Sequence, residues 1–326
     1  MTETRLSFLT PQGARRTEAA TLGGPRRRTV PPPLTAHDVA LDGRPAVRLT
    51  AADPETGPPR LEAEARAALA VHRAYGDTPY RSLFPAIVGH DLDADEPFLL
   101  YEAPRGEGAA RLSYGIPTTE QRTVERDLVL AVRLLESVGL VHQGLVPAAV
   151  RWDGKHVQVW DLASAVPLGR PRLPTGTPPY AAPEQRRGTG RTDARDALWS
   201  AAQIVYQLAA GHPGDPDGPP ADLAAYRSLE LGDAFAPFAE ARPEPARVLA
   251  RLMPGPDPAA LAEARPDPLE PHRQEYDRAM ERKRRAAGVV PQDPGSGHGH
   301  GSGSGAGSVT GDQQPRRRGW FGGRAY

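Results

Sequence analysis

The sequence predicts an α+β domain followed by a disordered tail, and three observations support this prediction. Short segments alternate between apolar and polar residues, as residues 157–160 do, and this alternation is typical of strands. Between about Leu112 and Gly139, apolar residues recur at helical spacing and predict one long helix. From residue 288 the chain is rich in glycine, serine, histidine and proline, a composition typical of flexible linkers.

The overall composition narrows the classes of function. The chain has 326 residues, enough for one large core with extensions, and its formal net charge is zero. This charge balance argues against nucleic-acid binding as the main role. The absence of cysteine excludes disulfide frameworks, cysteine-ligated zinc and thiol catalysis. Arginine greatly outnumbers lysine, and alanine, glycine and proline abound, which indicates a bacterium of high GC content.

No segment predicts export or membrane insertion. No N-terminal stretch combines a basic start with an apolar run, as a secretory signal would. The most apolar run, near Leu198–Ala210, contains Gln203 and Gln207 and is shorter than the roughly 20 residues of a membrane helix. We therefore expect a cytoplasmic protein without an integral membrane segment.

Four motifs follow one another in the middle of the chain. They are HQGLVPAAV at residues 142–150, DLA at 161–163, APE at 182–184, and an apolar run that opens at Asp196 and ends at Gly211. In this order and spacing they resemble the catalytic loop, the D-F-G triplet, the A-P-E triplet and the buried central helix of protein kinases. The chain is thus similar to the protein kinase-like superfamily, of the bacterial Ser/Thr-kinase type.

The resemblance implies a two-lobed α+β fold, with a small β-rich N-lobe and a larger helical C-lobe. We assign residues 1–103 to a divergent N-lobe, residues 104–287 to the C-lobe and residues 288–326 to the linker and C-terminal motif. By the same resemblance, Asp196 would bond the backbone of the catalytic loop. The arginine that pairs with the A-P-E glutamate in this family is not identifiable from the sequence.

The loop at residues 142–150 lacks the catalytic groups of the family. Gly144 stands where the catalytic Asp belongs, Val146 where the Lys belongs and Ala149 where the Mg²⁺-binding Asn belongs. The nearest acid, Asp153, belongs to a Trp-Asp-Gly-Lys sequence that predicts a hairpin turn rather than a replacement base. The favoured interpretation is a pseudokinase with no catalytic residues, which acts as a binding or regulatory scaffold in bacterial signalling.

The alternative is a divergent Ser/Thr protein kinase with ATP binding and weak phosphotransfer. Phosphoryl transfer depends mostly on positioning and electrostatics, so the loss of a base does not forbid slow turnover. Asp161 is retained at the position of the D-F-G Asp, which holds Mg²⁺ in the family.

The nucleotide site implied by the resemblance is also altered. Arg48, in Pro-Ala-Val-Arg-Leu, occupies the position of the ATP-anchoring Lys, and Glu64 resembles the helix Glu that pairs with it. An Arg48–Glu64 pair would hold the N-lobe together in the absence of ATP. The alternative is that the two residues are ordinary surface charges. We predict Gly23, Arg48, Glu64 and Asp161 as cofactor-binding positions, with Asp161 as the metal ligand.

Gly23 is the weakest of these assignments. The stretch Leu22–Val30 can be aligned with the glycine-rich loop, but Pro25 and Arg28 replace two of its glycines. A solvated basic loop is the alternative. We therefore expect no cofactor, with Mg·ATP binding weak if it occurs.

The C-terminal end combines aromatic and basic residues. Trp320, Phe321 and Arg324 follow a Gly/Ser/His linker, and such residues dominate interface hot spots. A linker also raises the effective concentration of a binding motif near its target. We predict that this motif, together with the kinase-like surface, contacts a protein partner. A disordered basic end without a partner, or a weaker membrane-surface role, is the alternative.

Overall fold

The structure, a computed structural model, describes residues 2–28, 34–111, 116–226, 229–261 and 282. The chain divides into two compact units, Met1–Arg265 and Pro266–Tyr326. All the strands and helices given below belong to the first unit. The predicted linker and the motif with Trp320, Phe321 and Arg324 lie outside the described residues.

The described chain contains eleven strands and five α-helices. The strands are β1 (Thr2–Leu9), β2 (Arg15–Arg28), β3 (Leu34–Leu41), β4 (Arg44–Ala51), β5 (Ile87–Asp91), β6 (Phe98–Glu102), β7 (Glu107–Gly108), β8 (Leu140–His142), β9 (Val150–Trp152), β10 (Val157–Val159) and β11 (Ala165–Pro167). The helices are α1 (Gly57–Tyr75), α2 (Thr118–Ser137), α3 (Pro183–Arg187), α4 (Ala194–Ala210) and α5 (Pro245–Leu252). This is a mixture of α and β elements, as the sequence predicts.

The first six strands form one closed antiparallel sheet in the order β1-β2-β3-β4-β6-β5. A single residue pair, Leu9 with His90, joins β1 to β5 and closes the sheet. The β3–β4 hairpin turns at Asp42 and Gly43, whose φ angles of 45° and 78° are those of the turn that suits the twist of strands. The order of β1 to β4 thus follows the local sequence, whereas the place of β6 between β4 and β5 and the closure of the sheet depend on distant contacts.

The two faces of this sheet belong to different cores. A small cluster on one face includes Phe8, Val39, Ala46 and Leu100. Residues on the other face, among them Val47, Leu49 and Tyr101, join a larger core that continues through α1, α2 and α4. Because successive side chains of a strand point to opposite faces, neighbouring residues in β4 and β6 enter different cores.

The long helix predicted between about Leu112 and Gly139 is observed as α2. It begins at Thr118, directly after Pro117, and ends at Ser137, shortly before Gly139 with a φ of 74°. Its apolar positions are buried against the larger core: Val124, Leu128, Ala131 and Leu135. Periodicity therefore identified the helix and its buried face, and proline and glycine set its ends.

The hairpin predicted around Asp153 is also observed. Strands β9 and β10 pair antiparallel with Trp152 opposite Val157. The Asp153 carboxylate accepts hydrogen bonds from the backbone N–H groups of Lys155 and His156, at 2.8 and 2.7 Å. Asp153 is therefore a turn residue on the surface.

Helix α4 is the buried centre of the helical part. Its side chains are apolar on almost every side, which is typical of a helix inside a core. Asp193 and Asp196 form a capping box at its N-terminus, and Gly211 ends it with a φ of 79°. Among the described residues, no helix is long and apolar enough to cross a membrane.

The carboxylate of Asp196 is paired with an arginine rather than with the catalytic-loop backbone, which corrects the expectation from the resemblance. Arg172 donates to both of its oxygens, at 2.9 and 2.8 Å, and the Asp193 N–H donates at 3.3 Å. Asp196 is fully buried and the Arg172 side chain is 5% exposed. A buried carboxylate needs a cation and hydrogen bonds, and here Arg172 supplies both.

A second buried ion pair lies beside the first. Arg242 donates to both oxygens of Glu184, and its guanidinium stacks 4.8 Å from the centre of the Trp199 ring. Arg242 is therefore the partner of the A-P-E glutamate that the sequence did not reveal. It was missed because it is one of several arginines in a Pro/Ala-rich segment with no pattern to single it out.

We predict that Asp196→Ala destabilises the fold strongly. The substitution removes the bidentate partner of the buried Arg172 guanidinium and leaves it only Glu184, which is 4.0 Å away and already paired with Arg242. Removal of one partner of a buried pair typically costs about 3–5 kcal/mol. Thermal and urea unfolding measure the change. Asp153→Ala is the control, because this exposed carboxylate makes its two hydrogen bonds within a surface turn, where water can replace them. Equal losses of stability in the two variants would contradict the assignment of Asp196 to the core.

Candidate functional site

The segment that resembles a catalytic loop runs from the end of β8 to the start of β9. His142 is buried, and its Nε2 lies 3.0 Å from the carbonyl oxygen of Trp160. The Gly144 N–H donates to its Nδ1 at 3.2 Å, so Nε2 carries the proton. Burial lowers the pKa of His142 to about 4. The imidazole is therefore neutral and holds the loop against Trp160.

Space beside Gly144 is occupied by Ser164. A Cβ atom on residue 144 would lie 2.5 Å from the Ser164 Oγ and 2.6 Å from its Cβ. These distances are far inside van der Waals contact, so no side chain fits at residue 144 while Ser164 keeps its place. Ser164 belongs to a short 3₁₀ turn, Leu162–Ser164, and its carbonyl accepts from the Gln143 N–H at 3.0 Å.

Two further positions of the loop have no polar side-chain atoms. Ala149 is 1% exposed, and its backbone is fixed by hydrogen bonds to Val146 and Trp160 at 2.9 and 2.7 Å. Val146 is half-buried. A methyl and an isopropyl group can neither bind a metal ion nor donate to a phosphate.

Asp161 lies two residues after the end of β10, in an unusual backbone conformation. Its backbone is left-handed, with φ 63° and ψ 50°, and its Oδ2 is buried without a hydrogen-bond partner. Burial, and next the charge of Glu64, raise the pKa of Asp161 to about 8; Arg60 and a hydrogen bond from Ser164 oppose this shift. Non-glycine residues with such backbones are often found at functional sites.

Glu64 lies at the centre of the contact between α1 and the 161–163 triplet. It is 1% exposed; Tyr101 donates to its Oε1 at 2.7 Å, and the Ala163 N–H donates to its Oε2. Arg60, one turn earlier in α1, donates to the Ala163 carbonyl at 3.2 Å. Burial raises the pKa of Glu64 to about 7, against the two hydrogen bonds.

Arg48 lies on the opposite face of β4 and does not pair with Glu64. Its guanidinium contacts the Glu96 carboxylate at 2.9 Å and stacks 4.8 Å from the centre of the Phe98 ring. The physical reason is strand alternation: Val47, beside Tyr101 in the sheet, faces α1, so Arg48 faces the smaller core. The expected Arg48–Glu64 pair is therefore not formed. The alternative of two surface charges is wrong as well, because both residues are buried.

Gly23 lies within strand β2, where the register with β3 shifts between Gly23 and Arg27. The turn that joins β1 and β2 is Thr10–Ala14 instead, with Gly13 at a φ of 83°. The stretch aligned with a glycine-rich loop is thus strand as far as Arg28. Val30, at its end, lies outside the described residues.

These positions do not match what Mg·ATP needs. Of the four predicted cofactor-binding residues, Asp161 and Glu64 lie near one another. Gly23 and Arg48 lie in the closed sheet, on β2 and β4. The unpartnered oxygen of Asp161 would suit one metal bond, but Ala149 supplies no second ligand. No group of three or more metal-binding side chains is found in the described part of the chain. An open cavity of about 730 Å³ beside α5, lined in part by Arg195, Phe235 and Arg247, shares no residue with this region.

Comparison with known proteins shows a partial similarity to protein kinases. The chain is 32% identical over 140 residues to the putative CBL-interacting protein kinase 27 of Oryza sativa subsp. japonica, covering 40% of this chain and 31% of the relative. It is 34% identical over 97 residues to the DNA damage-responsive serine/threonine-protein kinase RqkA of Deinococcus radiodurans, covering 27% and 14%. The CBL-interacting serine/threonine-protein kinase 21 of Arabidopsis thaliana is 33% identical over 99 residues, covering 29% and 24%.

The chain is therefore similar to protein kinases over part of its length. No protein-family model matches it, and the similarity to protein kinases covers less than half of the chain. The kinase-like chain also spans less than a third of the curated relatives described above.

We predict that the stability of the kinase-like domain falls as pH rises from about 5 to 8. The ordinary pKa values of Glu64 and Asp161 are 4.5 and 3.8, and the folded values are about 7 and 8. In this window Glu64 and Asp161 each keep in the folded state a proton that the unfolded state has lost. Buried His142, with a pKa lowered from 6.5 to about 4, acts in the opposite direction below pH 6.5 but involves only one proton against two. Raising the pH therefore favours unfolding. Thermal unfolding at several pH values measures the slope.

Glu64→Gln should flatten that slope, because the amide imitates the protonated carboxyl group. Glu62→Gln, an exposed position on the same helix, serves as the control. A slope that is the same in wild type and Glu64→Gln would contradict the prediction.

Proposed function

We propose that the chain is a pseudokinase: a kinase-like module that acts in bacterial signalling by binding and does not transfer phosphate. We further propose that its sheet and its helical part form the small and large lobes of a kinase-like fold, and that the protein is cytoplasmic. The observation that carries the proposal is the contact between Gly144 and Ser164. Ser164 fills the space that the side chain of a catalytic Asp at residue 144 would need. The absence of this Asp is therefore matched by the packing around Gly144.

The other altered positions support the same function. Arg48 is held by Glu96 and Phe98 on the far side of β4 from Asp161 and Glu64, where it cannot neutralise a phosphate beside them. Ala149 offers no metal ligand. Glu64, instead of pairing with a cation, binds the backbone of the 161–163 triplet and holds α1 in place. We therefore propose that Mg·ATP binds weakly or not at all.

One observation favours the alternative, a divergent Ser/Thr kinase with slow phosphotransfer. Asp161 keeps a buried carboxylate oxygen without a partner, and an unpaired buried acceptor is what an arriving cation would bind. The two functions differ in nucleotide binding, which stabilises a fold in proportion to the logarithm of ligand concentration over Kd.

We predict no transfer of γ-phosphate from radiolabelled ATP to generic protein substrates such as casein. Asp161→Ala controls for contaminating kinases, because a contaminant would retain its activity in that preparation. Transfer by the wild type that Asp161→Ala abolishes would overturn the proposal, as would a large thermal shift with Mg·ATP that the same variant removes.

The packing argument is tested in the same series. Gly144→Asp should not restore transfer and should lower the melting temperature, because its Cβ collides with Ser164. Adding Ser164→Gly should recover much of that stability. Equal melting temperatures of the single variant and the wild type would show that the space beside Gly144 is not blocked.

We also propose that the tail residues Trp320, Phe321 and Arg324 contact a protein partner. The Gly/Ser-rich linker before them would let the motif reach a partner without strain. Truncation after Pro315 should leave the melting temperature unchanged and remove proteins that co-purify with the full-length chain. Identical partners for the truncated and full-length chains, or unfolding on truncation, would contradict this role.

A further inference from the structure

The segment from Ala165 to Thr192 carries a strong local charge. It contains five arginines and one glutamate, in a chain whose formal net charge is zero. The glutamate, Glu184, is paired with Arg242, and one of the arginines, Arg172, is paired with Asp196. The remaining four arginines are partly or fully exposed: Arg170, Arg186, Arg187 and Arg191. We call these four residues, with Leu173, the basic surface.

Backbone contacts hold the two halves of this surface side by side. Pro171 and Arg191 form an isolated antiparallel bridge, and the Arg172 N–H donates to the Gly190 carbonyl at 3.0 Å. A Cβ on Gly188 would lie 2.6 Å from Pro174, so this turn packs directly on the proline. Gly188 also has a φ of 67°, a conformation that favours glycine. The surface is therefore fixed by the fold.

Leu173 is the apolar centre of the basic surface. Its side chain is 74% exposed, and Phe238 is the only other large hydrophobic residue with comparable exposure in the described chain. The neighbouring Arg172 is buried in its pair with Asp196, whereas the side chain of Leu173 is exposed to solvent.

The arginines around Leu173 differ in their partners. Arg186 is paired with Asp217, and Arg191 donates to the Gly169 carbonyl at 2.8 Å. Arg187 is exposed and makes no ion pair or side-chain hydrogen bond with any described residue. A bound carboxylate would therefore find in Arg187 a cation that no internal acid already neutralises.

We propose that the basic surface docks an acidic peptide segment of a protein partner, with one apolar side chain of that segment covering Leu173. Charge complementarity selects the acidic segment, and arginine with an apolar anchor is typical of interface hot spots. A nucleic acid is the less suitable occupant, because the one aromatic residue of this segment, Tyr180, is half-buried and bonded to Gln207. The chain's own C-terminal motif is also unsuitable, since it carries Arg316, Arg317, Arg318 and Arg324.

This inference rests on the proposed binding function, and its test needs no nucleotide. The probe is a short fluorescein-labelled peptide of glutamate and aspartate with one central phenylalanine, titrated with the full-length chain and followed by fluorescence anisotropy. We expect saturable binding that weakens as salt shortens the Debye length from about 30 Å at 0.01 M to about 3 Å at 1 M. A peptide with lysine in place of the acids should not bind.

The charge variants identify the surface. Arg187→Glu with Arg191→Glu should weaken binding by about tenfold or more, which corresponds to about 1.4 kcal/mol. Arg16→Glu with Arg81→Glu changes the net charge equally at exposed positions elsewhere and should have a small effect. If the double variant loses stability, Arg187→Glu alone is used in its place. This single substitution breaks no contact in the described structure and should still weaken binding.

The anchor is tested separately. Leu173→Ser should weaken the binding of the peptide with a central phenylalanine more than the binding of a matched peptide with a central alanine. Equal effects of the two charge-reversal pairs, or binding lost only on truncation after Pro315, would overturn the proposal. So would tighter binding of a single-stranded oligonucleotide that Leu173→Ser leaves unchanged. None of these results would change the outcome of the phosphotransfer assay, so the proposed pseudokinase function is tested independently.

Discussion

The bidentate pairing of Arg172 with Asp196 is the contact on which the helical part of the structure depends. It places a fully buried carboxylate at the start of α4, the most apolar helix, and supplies the cation that such a group requires. The same arginine ties the segment before the A-P-E triplet to the core, beside the Glu184–Arg242 pair. One interaction therefore fixes the central helix and the conformation of the surface segment above it.

In the candidate site, internal contacts involve the positions at which the resemblance to kinases leads one to expect catalytic and nucleotide-binding groups. Ser164 fills the space beside Gly144, and the buried carboxyl group of Glu64 accepts a hydrogen bond from the Ala163 N–H. Arg48 is drawn into the closed sheet by Glu96 and Phe98. Each of these residues has a structural partner within the fold. The region is therefore well packed, and it contains two neighbouring buried acids, Asp161 and Glu64.

A binding role is consistent with how the exposed and buried charges are distributed. The buried arginines are each matched with a carboxylate, so they serve the fold. On the basic surface, Arg187 is exposed and makes no ion pair or side-chain hydrogen bond with a described residue, so it is available to another molecule. Rigid backbone contacts beneath them would reduce the entropy lost on binding. Activity through contacts requires no chemistry from the loop at residues 142–150.

The sequence by itself determined the mixture of α and β elements, the long helix α2, the buried α4, the hairpin at Asp153 and the order of the kinase-like motifs. These follow from local periodicity, turn chemistry and spacing, which need no knowledge of distant contacts. It also identified Gly144, Val146 and Ala149 as positions without catalytic side chains.

Only the tertiary structure decided the partners. Asp196 binds Arg172, Glu184 binds Arg242 and Arg48 binds Glu96, and none of these pairs has a spacing that a local pattern could reveal. The face to which Arg48 points depends on the pairing of β4 with β6, which places Val47 beside Tyr101 against α1 and leaves Arg48 on the opposite face. Likewise, the space beside Gly144 is filled by a residue twenty positions later. Long-range packing, which a linear pattern does not encode, chose each of these neighbours.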